Sequence, residues 1–195
     1  MESGRVVFTG DVTISDNTAD IGGGICQSEG YLGITTVGNN PSQTIKIEDN
    51  TANVVTGSNL NSGEGGGGGI IVKGGETYFT GTETNRIKII GNKAPNGNGG
   101  GIYFFRGKSD FTYCNIGSSD KGNYAAKRGG GIYLANTENA YLASFKNCDI
   151  EYNYTTGNNE ASQAAVFSTM VDCLIITPTL SKTATSATTA ITGRT

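Results

Sequence analysis

Two aspartates recur at the same place in two copies of a short motif, and a carboxylate pair is the usual machinery of glycosidic bond hydrolysis. Asp16 in "VTISDNTA" and Asp49 in "IKIEDNTA" each stand directly before an asparagine. Glycosidases hold two carboxyl groups about 5–10 Å apart, and stacked β-strands lie about 4.8 Å apart. The next copies carry Gly91, Gly122 and Tyr152 at this position. Because the acidic column is not continued, the sequence favours solvated turn residues over a catalytic pair.

The other groups that an enzyme of this kind needs are scattered. The chain has no histidine, the commonest general base. Arg106, Lys127 and Arg128 could act on a sugar, but no carboxylate is grouped with them in the sequence. Neither a C-x-x-C zinc spacing nor the calcium-binding nonapeptide repeat is present. We therefore predict no catalytic residues, no metal site and no cofactor.

A pair of tyrosines offers binding chemistry instead. Tyr103 and Tyr133 follow Gly-Ile in "GNGGGIYFF" and "KRGGGIYLA". If side chains alternate along these strands, both rings point outward, one above the other. They are the predicted binding residues, as a small aromatic strip for a sugar or a protein. Ordinary tyrosines on a solvated strand face are the alternative.

An internal repeat of about thirty residues must position all of these side chains. One motif ends in Gly-Ile, and a weaker last copy has alanines and Val166. A second motif has an isoleucine three residues before an asparagine, except that extra residues separate Ile116 from Asn123. Apolar residues alternate with period two in both motifs, which indicates strands, and no segment keeps a helical period. The repeated residues are Ile25, Ile70, Ile102 and Ile132 in the first motif, and Asn17, Asn50, Asn92, Asn123 and Asn153 in the second.

The repeat predicts an all-β fold, a right-handed parallel β-helix of about five to six coils with about 30 residues per coil. A unit of two or three strands buries its apolar face only when it is stacked on its neighbours. A sandwich or barrel of hairpins would explain the strands, but not the return of the same residue types. We assign residues 1–176 to the β-helix and the Thr/Ser-rich residues 177–195 to a tail or linker.

Stacked coils give each repeated residue type a physical role. The isoleucines and the residues two positions later (Val72, Phe104 and Leu134, with Gln27 as the polar exception) should point inward as columns. The glycines before each isoleucine are expected to form a bend that needs positive φ and leaves no room for a Cβ atom. The alternative is that these glycines form flexible loops. The asparagines should bond to one another between coils and tolerate a left-handed corner.

Three of the four cysteines follow the same period-two alternation as the inward isoleucines. Cys114, Cys148 and Cys173 each stand two residues before an isoleucine, so they are expected to form an inward column of small apolar side chains. A disulfide between neighbours depends on their Cβ separation and stays open. Cys26 is expected to point outward as a free thiol.

The Gly-Gly-Ile and Ile-x-x-Asn motifs resemble the paired repeats of the chlamydial polymorphic outer membrane proteins and of autotransporter passengers. The resemblance covers about residues 5–176, with glycine where that family prefers alanine and isoleucine where it prefers phenylalanine. It implies a parallel β-helix that acts as a surface-displayed adhesin, with no catalytic residues. The matching triplets are Gly23-Gly24-Ile25, Gly68-Gly69-Ile70, Gly100-Gly101-Ile102 and Gly130-Gly131-Ile132.

Composition narrows the function classes further. The formal net charge is −3 without a basic cluster, so a nucleic-acid partner is not expected. No stretch reaches the length of a membrane span. The opening "MESGRVVFTGDV" lacks a signal peptide, and we expect the chain to be part of a larger secreted or cell-surface protein.

The predicted function is a non-catalytic adhesin or structural stalk that contacts a host or neighbouring-cell surface protein or glycan. The insertion at 53–66, rich in Gly, Asn and Ser, is the loop expected to touch that partner. A carbohydrate-active β-helix, either a polysaccharide lyase or a hydrolase, is the alternative. An ice-binding solenoid would need a repeated Thr array, but Thr18 and Thr51 are not continued in later copies.

Overall fold

The computed structural model describes residues 4–37, 42–54, 65–135 and 143–156, together with the backbone of strands at 166–168 and 174–177. All the regular structure in these ranges is β, and the strands pair in parallel to form four stacked sheets. The chain passes through the four sheets in turn and then returns to the first. This arrangement is a parallel β-helix of about five coils, which confirms the predicted fold class.

Each sheet contains one strand from each successive coil. Sheet 1 holds β1 (Arg5–Thr9), β5 (Tyr31–Thr35), β9 (Glu76–Thr80), β13 (Lys108–Thr112), β17 (Ala143–Lys146) and β21 (Leu174–Thr177). Sheet 2 holds β2 (Val12–Ser15), β6 (Ile45–Glu48), β10 (Ile87–Ile90), β14 (Cys114–Ile116) and β18 (Asp149–Ile150). Sheet 3 holds the short strands β3 (Thr18–Ala19), β7 (Thr51–Ala52), β11 (Lys93–Ala94), β15 (Tyr124–Ala125) and β19 (Tyr154–Thr155). Sheet 4 holds β4 (Ile25–Gln27), β8 (Ile70–Val72), β12 (Ile102–Phe104), β16 (Ile132–Leu134) and β20 (Val166–Ser168).

The isoleucine column of sheet 4 is confirmed. Ile25, Ile70, Ile102 and Ile132 are paired in register from coil to coil, and Val166 continues the register. The last three isoleucines are fully buried in the main core. Full burial of such a side chain stabilises a fold by about 1.5–3 kcal/mol, so each coil contributes its own share to one continuous core.

Sheet 1 is the part of the coil that the motifs did not reveal. Its inward column contains Phe79, Phe111 and Phe145, whose successive ring centroids lie 5.0 and 4.9 Å apart. The sequence signal is a large apolar residue followed by threonine, as in Phe79-Thr80 and Phe111-Thr112. It is easily missed because neither glycine nor asparagine marks these strands.

The glycine turns before sheet 4 confirm both predicted reasons for glycine. The first turn residue is left-handed in each coil, with φ between 59° and 72° at Gly22, Gly67, Gly99 and Gly129. The next residue has no space for a side chain, since a Cβ on Gly68 would lie 2.3 Å from the carbonyl oxygen of Gly100. These segments are therefore tightly packed turns and not flexible loops.

The asparagine column is also confirmed, with one correction. The Asn92 amide nitrogen donates to Asn123 Oδ1 at 3.0 Å and to the carbonyl oxygen of Ile47 at 2.9 Å, and Asn92 Oδ1 accepts from the Asn50 side chain at 3.1 Å. The left-handed corner, however, is the preceding residue and not the asparagine itself. Its φ is 57° at both Asp16 and Asp49, so the asparagine backbone is free to pair along the stack.

The cysteine column is confirmed for two of its three predicted members. Cys114 is fully buried and Cys148 nearly so, whereas Cys26 is exposed as expected. Cys173 lies outside the described residues. Ile175, two residues later, pairs with Ser144 in sheet 1, whereas Ile116 and Ile150 pair with each other in sheet 2. A Cys-x-Ile spacing reports period-two alternation but cannot tell one sheet of the coil from another.

Other predicted segments fall largely outside the described ranges. Of the 53–66 insertion, residues 55–64 are not described, and neither are residues 178–195 of the predicted tail. Within the described part of the chain, no helix is long and apolar enough to cross a bilayer.

Candidate ligand-binding cleft

The predicted aromatic strip is not exposed. Tyr103 and Tyr133 have relative exposures of 0% and 1%, and their ring centroids lie 5.1 Å apart. They form a second apolar cluster with Ile71 and Ala135, against which Phe105 packs. The prediction that these rings face solvent is wrong, because both rings are buried in this second cluster. Burial also raises the pKa of the Tyr133 phenol.

The sequence offered a signal for this second cluster. Ile71 occupies the same register position as both tyrosines. An apolar residue on the outward side of three successive coils indicates a covered face and not a solvated one. With their rings buried, Tyr103 and Tyr133 do not form an exposed aromatic strip.

Exposed aromatic rings lie instead on the outer side of sheet 3. Tyr124 and Tyr154 are paired in register, with ring centroids 5.2 Å apart, and Tyr154 is 52% exposed. Tyr152, two residues earlier, is 48% exposed. The same column holds Lys93 in the coil before Tyr124. In the sequence, Tyr152 was visible only as an interruption of the acidic column, and Lys93, Tyr124 and Tyr154 only as the positions where the threonines are not continued.

A loop at residues 117–122 covers the corner between sheets 2 and 3. It lies between Ile116 and Asn123, where other coils have only two residues between the corresponding isoleucine and asparagine. Its main chain rests on the preceding coil, since the Gly91 N–H donates to the Lys121 carbonyl oxygen at 3.0 Å. Gly91 is left-handed with φ 67°, and a Cβ there would collide with the Asp49 carboxylate. The left-handed backbone therefore favours glycine at this corner.

Lys121 ties this loop to a coil two turns away. Its Nζ lies 2.5 Å from Asp49 Oδ2 and 3.3 Å from Glu48 Oε2. The hydrogen bond that Lys121 donates to Asp49, followed by the one to Glu48, raises the pKa of Lys121 above its usual 10.5. Lys121 is therefore a cation at neutral pH and not a general base.

An open cleft of about 470 Å³ lies between the 117–122 loop, the exposed tyrosines and the outer side of sheet 3. Two carboxylates, two ammonium groups and two phenols face it, so it combines hydrogen-bond donors and acceptors with apolar ring faces. We call it the sheet 3 cleft. It is lined by Asp49, Gly91, Lys93, Ser119, Asp120, Lys121, Gly122, Tyr152 and Tyr154.

Five residues could have served catalysis by their type, and of these only Asp49 lines the cleft; the others are Asp16, Arg106, Lys127 and Arg128. Asp16 is exposed at the equivalent corner two coils before Gly91. Arg106 pairs with Glu29 at 3.6 Å and donates to the Lys73 carbonyl oxygen at 2.8 Å, away from the cleft. Among the residues that the structure describes, no three or more His, Cys, Asp or Glu side chains are grouped so as to hold a metal ion.

Comparison with protein-family models, with curated proteins and with solved structures found no match to this chain. The parallel β-helix is therefore shown by the structure itself, while the family resemblance of its motifs stays a prediction.

The ion pairs of Lys121 with Asp49 and Glu48 can be tested by Lys121→Met, which keeps most of the aliphatic side chain but removes the charge. We expect amide hydrogen exchange at Gly91 to become a few-fold faster, because partly exposed ion pairs hold only weakly. Exchange at Ile102, on the far side of the coil, should not change. Since the pKa of Lys121 is raised, the tie should persist at neutral pH and be lost only as pH rises above 10.5.

Lys88→Met is the matched control, since Lys88 is exposed on sheet 2 and does not line the cleft. Equal exchange rates at Gly91 in both variants would show that the ion pair does not hold the loop.

Proposed function

We propose that this β-helix is a non-catalytic, secreted or surface-displayed binding protein that holds a glycan in the sheet 3 cleft. The observation that carries the proposal is the exposure of Tyr152 and Tyr154 beside Lys93 in a cleft of mixed charge. The resemblance of the repeat motifs to surface adhesins supports the same role.

The chemistry of the cleft suits a sugar. A pyranose presents a C–H face, which packs on the apolar face of a tyrosine ring, and hydroxyl groups, which both donate and accept hydrogen bonds. Carboxylates, ammonium groups and the Ser119 hydroxyl supply the complementary partners. Because the two lining carboxylates and two lining lysines balance, the cleft favours a neutral saccharide over a polyanion.

The state of the charged groups favours binding over turnover. Asp49 is engaged by Lys121, and Lys121 is held in its protonated form. The base of a lyase must lose its own proton near neutral pH before it can accept one from the sugar. The raised pKa of Lys121 keeps this side chain protonated instead.

A rigid scaffold also suits recognition. The side chains that line the cleft from sheet 3 project from strands whose corners are fixed by buried asparagine bonds, such as Asn123 Nδ2 to Asn153 Oδ1 at 2.8 Å. Sites built on such elements keep their geometry better than sites on loops alone.

The binding test is a glycan array probed with the whole chain, followed by affinity measurements on the best ligand. Tyr154→Ala should weaken binding by about tenfold or more, since a ring face covered by ligand is worth about 1.5–3 kcal/mol. Tyr78→Ala is the control, because Tyr78 stacks on Tyr31 on the outer face of sheet 1. An equal loss in both variants, or none in Tyr154→Ala, would contradict the site.

A carbohydrate-active enzyme is the second candidate, and one observation favours it: Asp49 and Asp120 line the same cleft. Any ligand from the array should then be converted by the wild-type chain, and Asp49→Asn and Asp120→Asn should each abolish the conversion. Binding without release of new sugar ends would leave the non-catalytic proposal standing.

A further inference from the structure

Cys114 and Cys148 occupy equivalent corners of adjacent coils. The residues that follow them, Asn115 and Asp149, are paired in register in sheet 2. The residues that precede them are both left-handed, with φ 51° at Tyr113 and 52° at Asn147. The chain therefore enters sheet 2 in the same way in both coils, and both side chains lie in the main core.

The sulfur of Cys148 lies directly against the neighbouring cysteine. The Cys114 backbone N–H donates to Cys148 Sγ at 3.4 Å, and Cys148 Sγ lies 3.4 Å from the Phe111 carbonyl oxygen of the same neighbouring coil. Parallel strands are about 4.8 Å apart, which is inside the Cα separation of about 4.4–6.8 Å that a disulfide spans. Both thiols are free in the structure.

We propose that Cys114 and Cys148 form a redox pair that closes to an intercoil disulfide by exchange with a small-molecule disulfide. The Cys148 thiolate attacks one sulfur of the reagent, a mixed disulfide forms, and one reagent thiol leaves. Cys114 then loses its proton and attacks Cys148 Sγ, which releases the second reagent thiol. Two cysteine thiols are oxidised and one reagent disulfide is reduced to two thiols, so atoms and electrons balance.

The two cysteines have different tasks in this exchange. Cys148 is 8% exposed, whereas Cys114 is fully buried. Hydrogen bonding with Cys114 lowers the pKa of the Cys148 thiol, and burial raises the pKa of Cys114. Because the thiolate is the nucleophile, Cys148 is the residue that meets the reagent and Cys114 is the residue that resolves the mixed disulfide.

The residues on either side of Cys148 are held by one arginine. The Arg86 guanidinium pairs with Asp149 at 2.9 Å and donates to the Asn147 carbonyl oxygen at 2.7 Å. The resulting bond would link residues 34 positions apart and fasten two coils together.

The test uses the whole chain with Cys26→Ser and Cys173→Ser, so that only the pair remains. The folded protein is incubated with oxidised glutathione, and thiols are then counted in denaturant after removal of the reagent. We expect both thiols to disappear, the mass to fall by two hydrogens without added glutathione, and both thiols to return on reduction. Adding Cys114→Ala to this background should instead leave glutathione attached to Cys148.

The wild-type chain supplies a second measurement that does not rely on the serine substitutions. Trypsin leaves Cys148 and Cys173 in one peptide, residues 147–182, so a second cleavage after Glu151 is needed to separate them. A linked pair of peptides that contain Cys114 and Cys148 supports the proposal. It is overturned if the folded chain keeps both thiols, if it carries glutathione without the link, or if Cys148 is joined to another cysteine.

Discussion

Asn92→Leu is expected to lower the free energy of unfolding by about 3–5 kcal/mol, since each buried polar group left without a partner costs about 1–3 kcal/mol. The Asn92 side chain is fully buried and joins three coils. Its amide nitrogen satisfies the Ile47 carbonyl oxygen and its Oδ1 accepts from the Asn50 backbone N–H at 3.1 Å. Leucine has nearly the same volume, so the loss reports the hydrogen bonds and not a cavity. Equilibrium urea unfolding measures it.

Asn17→Leu is the matched control for this prediction. Asn17 is exposed, and its side chain donates to Asn50 Oδ1, which also accepts from the Asn17 backbone N–H at 3.1 Å. We expect a loss of about 1 kcal/mol or less, the usual net value of one hydrogen bond that is not fully buried. Similar losses at both positions would mean that the asparagine column does not stabilise the interior of the stack.

Gly100→Ala is the second substitution with a large expected effect, about 3 kcal/mol or more of destabilisation, at the upper end of what overpacking costs. A Cβ at this position would lie 2.3 Å from the Tyr124 carbonyl oxygen and 2.4 Å from that of Gly130. Both contacts are to backbone atoms, which cannot rotate away as a side chain can, and the Gly130 carbonyl oxygen also accepts from the Gly101 N–H at 3.1 Å. Relief requires the two coils to separate locally.

Gly33→Ala separates crowding from the general effect of adding a methyl group. Gly33 lies within β5, and its Cβ would meet only the Tyr31 ring, the nearest atom at 3.0 Å. Because the contact is with a partly exposed side chain and not with backbone, we expect a change within about 1 kcal/mol, typical of tolerated sites. Thermal unfolding of both variants under the same conditions gives the comparison. If Gly100→Ala is as stable as Gly33→Ala, close stacking of backbones is not the reason for the repeated glycines.

The repeat was sufficient to predict the architecture because stacking imposes like residues at like positions. Ile70, Ile102 and Ile132 had to be equivalent if coils superpose, and the asparagines had to meet one another for the same reason. Sheet 1 was not recognised as a separate strand, since its phenylalanine column carries no residue that only one backbone geometry permits. A repeat is easily recognised at positions where only one or two residue types fit the backbone. It is easily missed at positions that accept many residue types.

The candidate site was much less predictable. The alternation of side chains predicts that Tyr103 lies on the outward side of its strand. It does not predict whether other side chains cover that outward side. Lys121 and Asp49 are 72 positions apart, and only the stacking of coils brings them within a hydrogen bond. Nothing local in the sequence links them, because the contact depends on how far the 117–122 loop folds back over Gly91.

By itself the sequence determined the solenoid, the inward aliphatic column, the asparagine column and the need for glycine at the turns, since each is a constraint repeated once per coil. Only the tertiary structure decided which outward faces are covered and which are open, where the sheet 3 cleft lies, and that Lys121 reaches Asp49. Those outcomes depend on single insertions and on contacts between coils, and no period in the sequence encodes them.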